Sequence, residues 1–245
     1  MFSRVSSIAG PVSPFRRIQP VTRGLQLYLD SGVPGSYGGS GTTWRDLSGN
    51  GRDFTLYNSP TYSAGTGGII TFDSGSFQYA EGAFSMGSIP NFTVETWVKF
   101  NGNPPAGTGV VFTNSYDNVS NLNFVIGSGE PSSNTIRAGF FDGAWHNTTT
   151  GLTPVLGNWY HLVGTYNGTT LVLYSNNSSI GTLTYSGTPA IGASSYRVAR
   201  RWDAFANDPA NFMHSTIPVV RVYNRVLTSA EISQNFNYSR SRYGV

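Results

Sequence analysis

The chain has 245 residues, no cysteine, 14% aromatic and only 11% charged side chains, with 30 glycines and 13 prolines. This composition excludes a disulfide scaffold, thiol chemistry and a disordered polyelectrolyte, and it suits one domain of many short strands joined by tight turns. The formal charge of +3 is unevenly placed: Arg4, Arg16, Arg17 and Arg23 begin the chain, Arg240 and Arg242 end it, and the remaining nine bases face twelve acids, so the body from Gly24 to Ser239 is net −3.

In chain order, residues 1–23 read as an extended basic arm. Pro11, Pro14 and Pro20 prevent a helix, and Val5, Ile8, Val12, Phe15 and Ile18 supply scattered apolar anchors. The arm has no continuous apolar run of the kind a signal peptide needs, and no stretch of eighteen apolar residues exists, so neither a leader nor a membrane span is expected. Asn-x-Ser/Thr triplets at Asn91, Asn147 and Asn167 are read as turn chemistry.

Leu25, Leu27 and Leu29 alternate along a first strand, followed by a Gly-rich loop ending in Asp46-Leu47-Ser48-Gly49-Asn50-Gly51. Strands are expected at Phe54–Tyr57, Ile69–Phe72, Gln78–Ala80, Phe92–Phe100, Gly109–Asn114, Asn123–Gly127 and Thr135–Phe141. In Phe92–Phe100 the residues Phe92, Val94, Val98 and Phe100 share one face and Trp97 takes the other. The clearest hairpin is Trp159–Tyr166 with Leu171–Tyr174 around Asn167-Gly168, two residue types that accept positive φ in tight turns. Tyr196–Ala199 and Val219–Tyr223 complete the strands. One short helix is expected from Thr228, where Thr228-x-x-Glu231 has capping-box spacing and Ile232 and Phe236 follow at i and i+4.

The hairpin GNWYHLVGTYNGTTLVLYSNNSS resembles a motif of laminin-G-like jelly rolls in the concanavalin A-like superfamily. The segments DLSGNGRDFTL, ITFDSGSFQY, FTVETWVKF and IPVVRVYNRVLTSAEI resemble further motifs of that family in the same order, and together the matches span about residues 24–236. The resemblance implies an all-β, two-sheet antiparallel jelly-roll sandwich over residues 24–245, with the 1–23 arm in front, one short C-terminal helix, and the first and last strands close together. The opening GLQLYLDSGVPGSYGGSGTTWRDLSGNG is similar to versions of the domain in phage and environmental viral structural proteins. That similarity implies a non-enzymatic virion subunit, a capsid decoration, cement or adaptor.

Three kinds of site are expected. Docking onto other virion proteins, of capsid or tail, falls to Arg4, Phe15, Arg16, Arg17, Arg23, Arg240 and Arg242, because arginine makes planar bidentate contacts. Basic arms also bind nucleic acid, but these arginines lack an aromatic platform, so that partner is not expected, and neither is a membrane. Glycan binding, the alternative function as a host-surface adhesion module, falls to two loop clusters that join aromatics to polar groups: Asp142, Trp145, His146 and Asn147, and Arg201, Trp202 and Asp203, next to Arg200. In each cluster the competing role of the Trp is to cap the core or fill an interface. The resemblance further implies Ca²⁺ at Asp46 and Asn50, although the family's two acids before Arg221 are replaced by Pro218 and Val219. The competing role for Asp46 and Asn50 is to hold the Gly49–Gly51 turn through side-chain to backbone hydrogen bonds.

No enzyme is expected. Glu81, Glu95, Glu130 and Glu231 are the only glutamates, none begins the Glu-x-Asp-x-x-Glu pattern of related glucanases, and Glu95 has Trp97 and Lys99 at i+2 and i+4. His146, His161 and His214 are scattered and read as structural or surface residues.

Overall fold

The computed structural model describes residues 18–65, 67–85, 89–105, 109–115, 123–128, 134–141, 145–186, 195–201 and 208–245, with the backbone alone at 114, 115, 123, 141 and 145. In chain order the strands are β1 (Leu25–Asp30), β2 (Thr43–Trp44), β3 (Phe54–Tyr57), β4 (Thr61–Ser63), β5 (Ile69–Phe72), β6 (Tyr79–Gly82), β7 (Phe92–Phe100), β8 (Val110–Ser115), β9 (Asn123–Gly127), β10 (Arg137–Phe141), β11 (Trp145–Asn147), β12 (Trp159–Tyr166), β13 (Thr170–Ser175), β14 (Ser178–Thr184), β15 (Ser195–Val198) and β16 (Ser215–Tyr223). The helix α1 (Ser229–Tyr243) follows them.

Two antiparallel sheets form the jelly roll. The first runs β14-β13-β12-β7-β16-β5-β4, and β1 also pairs with β16. The second runs β11-β10-β9-β8-β15-β6-β3-β2. The first strand lies beside the last, with Leu29 opposite Val220. The inner faces meet in one core of Leu27, Leu29, Trp44, Phe54, Phe72, Phe92, Val98, Phe100, Phe112, Phe124, Phe140 and Tyr196, all essentially buried. Each such large apolar side chain contributes roughly 1.5–3 kcal/mol when fully buried. Pro218 stands inside the fully buried β16 without a donor to give, and the β16–β7 register shifts between Thr216 and Val219 to accommodate it.

A third layer covers the outer face of the first sheet. Thr228 opens α1 by accepting the Glu231 amide hydrogen while the Glu231 carboxylate accepts from the Thr228 amide, and Gly244 closes it in the left-handed conformation at φ 70°. The helix is longer than its sequence signal, spanning 15 residues, because its second half packs on strand side chains. Trp97, on the face of β7 opposite Phe92, Val94, Val98 and Phe100 as expected, is fully buried under this layer: its ring stacks on Phe236 (5.7 Å, 10°) and meets Tyr243 at 4.5 Å. The arm's described end also lies on this layer. Val21 N donates to Asn235 Oδ1 (2.8 Å), Gln234 Nε2 donates to the Gln19 carbonyl (2.8 Å) and Tyr223 OH donates to the Val21 carbonyl (3.1 Å).

The β12–β13 hairpin forms where expected, but its turn works differently. Gly168 takes φ 94° while Asn167 acts through its side chain, with Oδ1 accepting from Thr169 N, Thr169 Oγ1 and Thr170 N. The two-residue turn with both φ values positive sits one hairpin later, at Asn176 (46°) and Asn177 (69°), joining β13 to β14.

Candidate functional site

The outer face of the second sheet carries a polar and aromatic constellation on β3, β6 and β15. Alternation sends Phe54, Leu56, Ala80, Tyr196 and Val198 inward to the core. The residues between them, Thr55, Tyr57, Tyr79, Glu81, Ser195 and Arg197, therefore face outward. Register sets them side by side: Tyr57 opposes Tyr79, and Glu81 lies between Thr55 and Arg197.

The two tyrosine rings stack with centroids 4.5 Å apart and planes 4° apart. Behind them, the Arg200 guanidinium lies 4.4 Å from the Tyr79 ring centre and 5.6 Å from that of Phe212. Phe77 closes the group edge-on against Phe212 at 5.5 Å. Tyr57, at the front of the stack, is 39% exposed. Burial raises the Tyr79 phenol pKa, with Arg200 opposing, so this hydroxyl stays protonated and able to donate.

Beside the rings, Glu81 Oε1 accepts from Ser195 Oγ (2.5 Å), and Oε2 lies 3.2 Å from Arg197 Nε. The pair is partly accessible, at 19% and 16% exposure. Arg197 Nη1 also donates to the Arg201 carbonyl (3.3 Å). At the middle of the same face Thr113 and Val125 are buried, whereas Thr43, Thr55 and Tyr57 at the β2–β3 end are exposed.

The backbone around this group is unusual. Asn58 (61°), Ser59 (55°), Phe77 (54°) and Ala199 (62°) all take positive φ. For Phe77 and Ala199 that conformation costs of order 1–3 kcal/mol each and persists only where neighbours enforce it. Asn58 Nδ2 donates to the Phe77 carbonyl (2.7 Å), and Gln78 Nε2 donates to the Asn58 and Ser59 carbonyls (3.0 Å each), so the β3–β4 turn and the approach to β6 hold one another. Ala199 turns the chain so that Arg200 lies over Tyr79.

The expected glycan residues divide. Arg201 joins this face through its carbonyl, while Trp202, Asp203 and Asp142 lie outside the described residues, as does the Trp145 side chain. Trp145, His146 and Asn147 form the edge strand β11, four strand positions from β15 and so roughly 19 Å away. There the His146 ring meets Tyr185 at 4.6 Å, and Asn147 stands opposite Gly139. Among the described residues, the structure does not bring His146 and Asn147 beside Arg201.

The expected docking residues divide as well. Arg4, Phe15, Arg16 and Arg17 lie outside the described residues. Arg23 has its carbonyl engaged by Arg225 Nε (2.9 Å), and Arg240 is exposed on α1. Arg242 is engaged within the fold: Nη1 donates to both oxygens of buried Asp30 (2.9 Å each) and Nη2 to the Gly67 carbonyl (2.9 Å). The C-terminal basic residues sit in a helix, and one of them is consumed holding that helix to β1.

Asp46 and Asn50 hold the loop. Asp46 accepts from Tyr28 N, Ser48 N, Ser48 Oγ and Arg52 N, and Asn50 Nδ2 donates to the Gln26 carbonyl (3.1 Å) and Ser48 Oγ (2.9 Å). A carboxylate ringed by four donors does not fit a hard cation, which needs converging oxygens. Among the described residues no group of three or more His, Asp or Glu side chains could hold a metal.

Sequence reasoning also missed a buried polar cluster under α1. Glu95 faces Arg221 and lies 3.0 Å from His161 Nε2, and its Oε2 accepts from Asn235 Nδ2 (2.5 Å). Burial alone would raise the Glu95 carboxyl pKa, but the Arg221 charge and the His161 and Asn235 hydrogen bonds hold it at about 2. Its three charged or ionisable members, Glu95, Arg221 and His161, are fully buried, so the cluster ties elements together and meets no ligand.

The fold has many solved counterparts. Domain 4 of AbnA, a GH43 extracellular arabinanase from Geobacillus stearothermophilus, in complex with arabinotriose, is 15% identical with a TM-score of 0.68, covering 86% of this chain and 97% of that one. Trypanosoma rangeli sialidase is 17% identical (TM-score 0.59), matching 89% of this chain but only 33% of its own length. The binding domain of Paraclostridial Mosquitocidal Protein 1 is 20% identical (TM-score 0.62), matching 87% of this chain and 52% of its own. At these identities the likeness is one of fold. A search of curated protein sequences finds no match. A family model described as the concanavalin A-like lectin/glucanases superfamily matches residues 65–233, and the chain belongs to that superfamily.

Proposed function

We propose that the chain is a non-catalytic carbohydrate-binding module that uses the outer face of β3, β6 and β15. The observation that carries this reading is the Tyr57–Tyr79–Arg200 stack standing beside the Glu81–Arg197–Ser195 group. A sugar ring has an apolar C–H face bordered by hydroxyls. Tyr57 offers a flat exposed surface to the first, and the carboxylate and guanidinium offer acceptors and donors to the second. The platform is held in place before any ligand arrives, so little ordering cost remains. Glu81 is committed to Arg197 and Ser195, which suits an acceptor of hydroxyl protons better than a proton donor.

Two similarities support the reading without carrying it. A fold counterpart, domain 4 of an arabinanase, is in complex with arabinotriose, and another belongs to a sialidase. The expectation of a virion subunit docked through residues 1–23 keeps only its charge argument and gains nothing from these similarities.

The test is a glycan array probed with the labelled full chain beside a Glu81→Gln variant. Discrete hits that fade in the variant support the reading. An array without a hit, or one unchanged by the substitution, overturns it.

A further inference from the structure

At the edge of the second sheet, the Gly-rich loop after β1 and the strand that follows it enclose a cleft of about 320 Å³. Its lining includes Gly38, Ser40, Gly41, Thr43 and Arg45, and Arg45 is the one charged side chain among the described residues that line it. The volume falls within the range of small-molecule sites.

Register joins this cleft to the Tyr57 face. Thr43 stands opposite Thr55, which stands opposite Glu81. The pairing runs on past β2, where Leu56 N donates to the Thr42 carbonyl (2.7 Å), so Gly41 comes level with Tyr57. Thr43 and Arg45 flank buried Trp44 and are both exposed, so alternation puts them on the outer face with Tyr57 and Glu81. Tyr57 therefore stands beside one end of the cleft and Arg45 at the other, roughly 13 Å along the strand.

The walls are fixed. Ser36 brackets the Arg45 backbone, its carbonyl accepting from Arg45 N (2.7 Å) and its hydroxyl donating to the Arg45 carbonyl (2.6 Å). Tyr37 OH donates to the Gly41 carbonyl (2.9 Å). Gly39 holds φ 89° against the Tyr62 ring, where a Cβ would come within 3.0 Å of Cε1.

The free donors set what a ligand must offer. No described residue hydrogen-bonds to or pairs with the Arg45 guanidinium, although Asp46 adjoins it and Asp53 comes next in the register opposite it. Asp46 accepts instead from Tyr28 N, Ser48 and Arg52 N, and Asp53 Oδ1 accepts from Asp46 N (2.9 Å). Asp30, whose amide donates to Ser36 Oγ, has its carboxylate paired with Arg242. The amides of Gly38 and Ser40 donate to no described residue, and Ser40 and Thr43 add exposed hydroxyls. A carboxylate can engage the Arg45 fork in a planar, bidentate pair and accept from these amides and hydroxyls as well. A neutral unit gains the hydrogen bonds without the charge.

We infer that this cleft is a subsite for an acidic sugar, a carboxylate-bearing unit of a glycan whose neighbouring unit lies on Tyr57. This deepens the proposed function and rests on it: the ligand of the face becomes an acidic oligosaccharide.

The test is calorimetry on the full chain with trigalacturonate and 3′-sialyllactose, each beside its own methyl ester. The acid that binds is expected to do so at least about tenfold more tightly than its ester. Arg45→Gln, at an exposed side chain, is expected to bring acid and ester to the same affinity with thermal unfolding unchanged, and Arg45→Lys to keep part of the preference. No binding of either acid, an ester bound as tightly as its acid, or a preference unchanged in Arg45→Gln overturns the inference. Acid and ester bound equally by the wild type, and both weakened by Tyr57→Ala, remove the cleft subsite and leave the proposed function standing. An acid preference lost in Arg45→Gln, with affinity untouched by Tyr57→Ala, upholds the acid site in the cleft and overturns the Tyr57 reading.

Discussion

Glu95 on β7 and Arg221 on β16 stand directly opposite each other in register, both fully buried, with their charges joined beneath α1. Around them His161 comes from β12, Asn235 from α1 and Tyr28 from β1, so one ion pair collects four strands and the helix. Asn235 links it onward to the arm, donating to Tyr223 OH (2.9 Å) and accepting from Val21 N (2.8 Å).

Glu95→Gln leaves the Arg221 charge buried without its counter-charge. The expected cost is about 3–5 kcal/mol, measured as a shift in the urea midpoint. Adding Arg221→Met to Glu95→Gln should recover part of the loss, because removing both charges also removes the desolvation penalty. A single variant as stable as the wild type would show that the pair does not hold the layer.

Acid should unfold the chain through the same groups. Glu95 and Glu231 have pKa values lowered from 4.5 to about 2, the first by Arg221 and its hydrogen bonds against an opposing burial effect, the second chiefly by its hydrogen bonds to Arg225. A carboxyl lowered on folding adds stability above its unfolded pKa and loses it as pH falls towards the folded value. Stability should therefore be insensitive to these groups above pH 4.5 and decline from there towards 2. Denaturation midpoints recorded across that range check it, and Glu231→Gln should flatten part of the decline.

Arg242→Ala removes three hydrogen bonds, two of them to the carboxylate of buried Asp30. Arg242 is itself 22% exposed, so the expected loss is about 1.5–3 kcal/mol. Arg240→Ala, at an exposed position, should stay within about 0.5 kcal/mol. Equal effects in thermal or chemical denaturation would contradict the assignment of Arg242 to the fold rather than to a partner.

Thr228→Ala breaks the reciprocal capping pair with Glu231 and should cost about 1 kcal/mol. Hydrogen exchange should rise first in the opening turn of α1 and at Val21, whose amide depends on Asn235.

What could be read from the sequence follows the range of the forces involved. Phe54–Tyr57, with one buried face, announced itself by local alternation, and Ile69–Phe72, buried on both faces, by its β-branched and aromatic residues. The helix was legible only at its capping box, since its inward face carries Asn235 and Ser239 as well as Ile232 and Tyr243, which blurs any apolar stripe. That hidden layer is why nothing in the sequence marks the second face of β7, which carries Glu95 and Trp97, as buried. Their burial depends on a helix more than a hundred residues away. The Arg200–Arg201 loop was legible as a polar and aromatic cluster, but its partners Tyr57, Tyr79 and Glu81 look like ordinary strand residues until register aligns β3, β6 and β15. The adjacent Asn58-Ser59 turn after Tyr57 was the one local signal available.

The account rests on Tyr57 presenting a sugar-binding surface, and calorimetric titration of the strongest array ligand into wild type and Tyr57→Ala tests that directly. Tyr57 is exposed and its removal deletes only the front ring of the stack. The account predicts affinity at least about tenfold weaker in the variant, with unchanged thermal unfolding. Equal affinity in the two proteins would contradict it.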